Sequence, residues 1–181
     1  STGRSFYVLD RTLWWEEPHV YSWTQHVNSY VASELFARGL TSQQVPYVAY
    51  YDDDSQDGVC QTGGWWFSNW SFVTPCTSWD IEADCRDWDQ PWDPTTNACA
   101  WTIGGHNAVS FQPTVRIGAG LSDPIYRRNV TWHEMFHTLS SGHNNAEWSI
   151  MNSGVVDWFY MSFTSHDLDD IYWHYSHGVP E

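Results

Sequence analysis

Apolar positions divide this chain into short runs and two longer periodic stretches. Phe6 to Leu9 (Phe-Tyr-Val-Leu) is a compact apolar run that predicts a first strand. From Pro18 onward, apolar or aromatic residues return at Val20, Trp23, Val27, Tyr30, Val31 and Leu35. Steps of three, four and one keep to one face of a 3.6-residue repeat. Residues 18–38 therefore predict one long amphipathic helix, with Pro18 at its start and Gly39 closing it. Val45 to Tyr51 predicts a second strand, stopped by Asp52-Asp53-Asp54, and Trp65 to Val73 a third. Residues 76–97 are rich in Asp, Pro, Trp and Cys and predict an irregular excursion. Cys99 to Ile103 and Ala108 to Phe111 read as short strands around Gly104-Gly105. Asp123 suits an N-cap and Pro124 the first helical position, opening a second helix that runs to about Leu139. Gly154 to Phe163 is apolar and extended. Thr164 or Ser165 then caps a last helix with Leu168, Ile171, Tyr172 and Tyr175 along one face. No internal repeat is visible.

The helix opening at Pro124 carries the chemistry. It contains His133-Glu134-Met135-Phe136-His137, followed by Thr138-Leu139-Ser140-Ser141-Gly142-His143. Histidines four apart lie one turn apart on the same helical face, so their imidazoles can converge on one ion. His143 is the expected third nitrogen ligand, with Gly142 before it easing the exit from the helix. Neutral imidazole suits zinc, and three protein ligands leave a position for water, whereas structural sites are closed by four. Glu134, beside the first ligand, is placed to act as general base toward such a water. A chance occurrence of the three histidines and the glutamate at this spacing has a probability of roughly 0.001.

This run resembles the metzincin metalloprotease signature, and Ser149-Ile150-Met151-Asn152 resembles the Met-turn that follows it in that family. Ser140 stands where the family has glycine, and Ser153 stands where two subfamilies carry a tyrosine. Asn144, after the third histidine, matches no subfamily marker, so the subfamily stays open. The order strand, long helix, strands, zinc helix, Met-turn, last helix is the order that metzincins show. The resemblance implies an α+β fold with a twisted, mostly parallel N-terminal sheet carrying an antiparallel edge strand. A long backing helix and a zinc helix would complete an N-terminal lobe of about residues 1–143, and a small C-terminal lobe would span about 144–181. It further implies Met151 as the floor beneath the metal. Val155, Val156 and Tyr160 would line the pocket for the residue after the cleaved bond, and an edge near 98–110 would pair with an extended substrate. The implied activity is zinc-dependent peptide hydrolysis by a monomeric secreted endopeptidase acting on protein or peptide substrates. Two rivals remain: a zinc-fold binding or toxin-like module, and a zinc hydrolase of non-peptide amides or esters.

Composition narrows the classes further. A chain of 181 residues fits one domain, or one domain in two lobes. Its net charge of -15, with arginine as the sole basic residue besides histidine, argues against nucleic-acid binding. That balance suits either a high-salt or an acidic extracellular setting, or compositional drift. No apolar run is long enough to cross a membrane. The chain opens on Ser1 without a leader-like segment, which reads as a processed mature form; an artificially trimmed chain would look the same. Cys60, Cys76, Cys85 and Cys99 suggest two disulfides of open pairing, and the absence of any CxxC pair weakens a four-thiolate zinc site. The 14 tryptophans are expected mainly in packing, with Trp65-Trp66 and Trp88 to Trp92 as alternative cleft linings. Asp53, Ser55, Asp57 and Gly58 match the first half of a Ca2+ loop, but Gly64 occupies the position of its closing glutamate, so a solvated acidic turn competes. Asp157 is a candidate carboxylate partner for a ligand histidine. His106 could approach substrate, and His174 with His177 could hold a second metal or simply end a solvated helix.

Overall fold

A computed structural model describes residues 5–10, 12, 14–52, 59–63, 70–75, 98–101, 114–117, 123–139, 141–154 and 158–177. Strand β1 (Ser5–Asp10) runs parallel to β2 (Tyr47–Asp52), in register from Ser5 opposite Tyr47 to Asp10 opposite Asp52. A parallel pair needs a crossover connection, and the long helical run supplies it. That run is α1 (Glu17–His26), a π-helical turn (Val27–Val31) and α2 (Ala32–Ala37). The wide turn takes more residues per revolution, which checks the drift that steps of four otherwise accumulate. Val27, Val31 and Leu35 are all fully buried as a result, while Tyr30, expected on the same face, is 43% exposed and stacks on His26. Gly39 ends the run with φ at 95°, a left-handed conformation that glycine adopts without strain.

β2 also faces the helix through a side chain. Asn28 donates from Nδ2 to the Val48 carbonyl at 2.7 Å and accepts from the Val48 N–H at 2.8 Å. One amide thus satisfies both backbone groups of a buried strand residue on the side away from β1.

Two antiparallel pairs follow: β3 (Val59–Gly63) with β4 (Trp70–Pro75), and β5 (Ala98–Trp101) with β6 (Thr114–Ile117). β4 overlaps the strand expected at 65–73. β6 was not marked by the apolar pattern, because Val115 and Ile117 alone are too few to display a period. Ala108 to Phe111, Gly104-Gly105 and residues 76–97 lie outside the described residues, as do Asp53 and Asp57. The last part of the calcium-like segment, Val59–Gly63, belongs to the β3 ladder.

Helix α3 (Pro124–His137) lies beside α1, β5 and β6, and α4 (Ser165–His177) lies beside α2. One apolar core joins Val20, Trp23 and Leu35 to Phe136 and Leu139, and onward to Met151, Met161, Leu168 and Ile171. It spans both sides of the expected lobe boundary. No described helix is long and apolar enough to cross a membrane.

Candidate metal centre

The geometry of α3 starts at its cap. Asp123 is extended (φ -77°, ψ 124°) and its carboxylate accepts from the Tyr126 N–H at 2.9 Å, with Pro124 opening the first turn as expected. From there the helix delivers His133 and His137 on its last turns. Phe136, fully buried, packs inward, stacked on Phe163 with centroids 4.2 Å apart. Leu139 N–H then bonds to the Phe136 carbonyl at 3.0 Å, tightening the exit. Gly142 does not use a left-handed conformation there, since among the described glycines only Gly39 has positive φ.

The three expected ligands come together. His133 Nε2 lies 3.2 Å from His137 Nε2 and 3.2 Å from His143 Nε2, and the three ligand nitrogens all fall within 4.8 Å of one another. Tetrahedral zinc–imidazole bonds would set neighbouring nitrogens about 3.3 Å apart. The opposite ring nitrogens of His133 and His137 set the tautomers of those two rings. His133 Nδ1–H donates to the Ile150 carbonyl at 2.7 Å, and His137 Nδ1–H donates to the Ser141 carbonyl at 2.8 Å. With the proton held on Nδ1, each Nε2 presents a lone pair. Lone pairs at this spacing repel one another unless a cation sits among them.

Burial reinforces the neutral form. It pushes the His133 pKa down to about 4, against the opposing pull of the Ile150 carbonyl, with smaller lowering from His137 and His143. His137 is lowered for the same first reason, burial. Neutral imidazole is the form that binds metal. Among the described residues no fourth His, Cys, Asp or Glu joins the group, and the three imidazoles could hold one metal ion. His133 is buried, His137 half-buried and His143 exposed, so the cluster opens toward solvent from one side.

Glu134 is half-buried on the same helix. At about 100° per residue it projects about 60° beyond His137 on the helical wheel, at the margin of the ligand face. Met151 is fully buried. Its carbonyl accepts from the Asn144 N–H at 2.8 Å, which ties the segment around Met151 directly to the residue after His143.

Other expected residues fall elsewhere. Val155, Val156, Asp157 and His106 lie outside the described residues, and so do Cys76 and Cys85. Tyr160 is 60% exposed, and the Arg128 guanidinium sits 5.5 Å from its ring centroid. His177 Nδ1–H bonds to its own helix at the Trp173 carbonyl, 2.8 Å away, and no second metal cluster including His174 occurs among the described residues.

Several supporting residues escaped the sequence reading. Backbone carbonyls of Ile150 and Ser141 orient the ligands, a role no side-chain pattern can display. Asn129, fully buried, accepts from the Met161 N–H at 3.1 Å and donates to the Phe159 carbonyl at 2.8 Å, fixing the 159–161 segment to α3. Asp167, also fully buried, receives hydrogen bonds from Asn144 and Ser149. Its signal was present as Thr164-x-x-Asp167, a capping pattern at the start of α4.

Comparison of the chain with protein-family models, with curated proteins and with solved structures gives no match in any of the three.

Proposed function

We propose that this chain is a zinc-dependent endopeptidase. The observation that carries the reading is the convergence of three imidazole nitrogens, two with their tautomer fixed by backbone carbonyls, beside Glu134 on the same helix. An all-imidazole set without thiolate favours zinc over calcium or magnesium, which take oxygen donors. When bound, zinc would supply an acidified water and a Lewis acid for the scissile carbonyl.

The chain's own residues do the rest. His133, His137 and His143 would hold the ion, and the carbonyls behind the first two keep those rings from turning. Glu134 accepts the proton of the attacking water and passes it to the departing nitrogen. An extended peptide would pair along the edge formed near 98–110, of which β5 (Ala98–Trp101) is described. Val155, Val156 and Tyr160 would form the wall facing the residue after the cleaved bond. The same reading carries the α+β two-lobe architecture, secretion and disulfide pairing among the four cysteines.

Glu134→Gln tests the mechanism, with a diverse peptide library as substrate and metal content measured in parallel. The variant should keep its zinc and lose cleavage at least about 100-fold. Near-normal turnover by that variant removes Glu134 as the base. A wild-type chain that cleaves chromogenic esters but no peptide bond assigns the site to another class of hydrolase.

A further inference from the structure

His143 differs from its two partners in how it is held. His133 and His137 project from α3, whereas His143 lies on an irregular segment between α3 and the Met-turn. A ligand on such a segment needs an anchor, and the next residue provides one. Asn144, buried, donates from Nδ2 to Asp167 Oδ1 at 3.1 Å. Ser149 Oγ donates to the same oxygen at 3.2 Å, and itself accepts from the Met151 N–H at 3.0 Å. The other oxygen, Oδ2, accepts from the Thr164 N–H at 2.8 Å and the Thr164 hydroxyl at 3.1 Å.

A carboxylate offers about four acceptor positions, and Asp167 has four donors on them. Among the described residues, Oδ2 serves the start of α4. Oδ1 serves the two ends of the segment that runs from the third imidazole to Met151. Neither Asn144 nor Ser149 is needed to cap α4, and an apolar side chain would fill the core there without their desolvation cost. Their joint attachment to one fully buried carboxylate is therefore explained by what lies on either side of them: His143 on one, Ile150 and Met151 on the other. Ile150 is the residue whose carbonyl holds His133.

We propose that Asp167 is the positioning residue of the metal centre. Through Asn144 and Ser149 it fixes the third imidazole and the carbonyl behind the first, so that the helical and non-helical ligands meet at one point. The inference rests on the metal-binding reading above, though not on peptidase activity. It assigns α4 a share in the site although α4 contributes no ligand.

The test is zinc affinity by competition with a chromophoric chelator, alongside circular dichroism and thermal melting of each metal-free protein. Asn144→Ala should weaken zinc binding roughly 10- to 100-fold while helix content stays unchanged. Asp167→Asn should weaken it at least as much, because one acceptor becomes a donor facing donors. Thr164→Ala serves as the contrast: it removes the hydroxyl contact to Oδ2, lowers the melting temperature, and should leave zinc affinity within about twofold of wild type. If Asn144→Ala, still folded, binds zinc as wild type does, or if Thr164→Ala weakens zinc as much as Asn144→Ala, the positioning role is wrong while the metal centre stands. A wild-type chain that takes up no zinc overturns the metal-centre reading and this inference with it.

Discussion

Glu16 shows what a single residue can contribute away from the metal. Its side chain is completely buried, with Arg127 Nε 3.0 Å from Oε1 and the Thr131 hydroxyl donating to Oε2 at 3.1 Å. Desolvation outweighs the pull of Arg127 and Thr131, and the pKa is pushed up to about 8 from 4.5. The folded chain therefore holds a proton that the unfolded chain has released between those values. Stability from this group is complete below about 4.5 and declines as pH rises through about 8. Urea midpoints for Glu16→Gln should fall less between pH 5 and pH 8 than those of wild type. Parallel curves would show that Glu16 is ionised in the fold. His19 and His26 act in the opposite direction: burial lowers both to about 4, so their contribution is lost as pH falls from 6.5. At the metal site the residue-scale prediction concerns the ligand off the helix. His143→Ala should lower bound zinc in a dialysed sample well below one per chain, and unchanged content would exclude His143 from the coordination sphere.

At the scale of elements, two asparagines bond to the backbone of distant segments as a neighbouring strand would. Asn28 closes the open side of β2 at Val48, and Asn129 pins Phe159 and Met161 against α3. Each bonds one backbone N–H and one backbone carbonyl. Replacing either with alanine should cost about 1–3 kcal/mol, read as a shift in the denaturant midpoint at constant slope. A loss below about 0.5 kcal/mol would mean that water or relaxation replaces those bonds. Such devices also mark what the sequence could reveal. Both long helical stretches were legible from their periods, and Asp123 and Pro124 marked the start of α3 because cap chemistry is local. His133, His137 and His143 were legible because a metal imposes both residue type and spacing. The π-helical turn was not, since it changes the repeat without any distinctive residue, and Tyr30 was placed on the wrong face for that reason. Asn129 was hidden, and so was the link from Asp167 to Asn144, although Thr164-x-x-Asp167 marked a cap: the partners lie 32 and 23 residues away, at Met161 and Asn144, and no local pattern records such a distance.

On the scale of the whole molecule, the histidine cluster adjoins the core. Phe136, which precedes His137 in α3, packs against Trp23 of α1 and Phe163, and Met151 and Leu168 belong to the same core. An ion gripped by His133, His137 and His143 would join α3 to the segment leading into α4. Because zinc would bind the folded chain and not the unfolded one, its removal should lower the melting temperature, with recovery on adding zinc back. A zinc concentration 1,000 times the dissociation constant corresponds to about 4 kcal/mol. A melting temperature indifferent to chelation would place no tight site in the fold. X-ray absorption at the zinc edge reaches the central claim most directly. Zinc-loaded protein should show one ion per chain with about three nitrogen neighbours near 2.0 Å and an additional oxygen. Sulfur in the coordination shell, or no zinc retained after dialysis, would contradict the account.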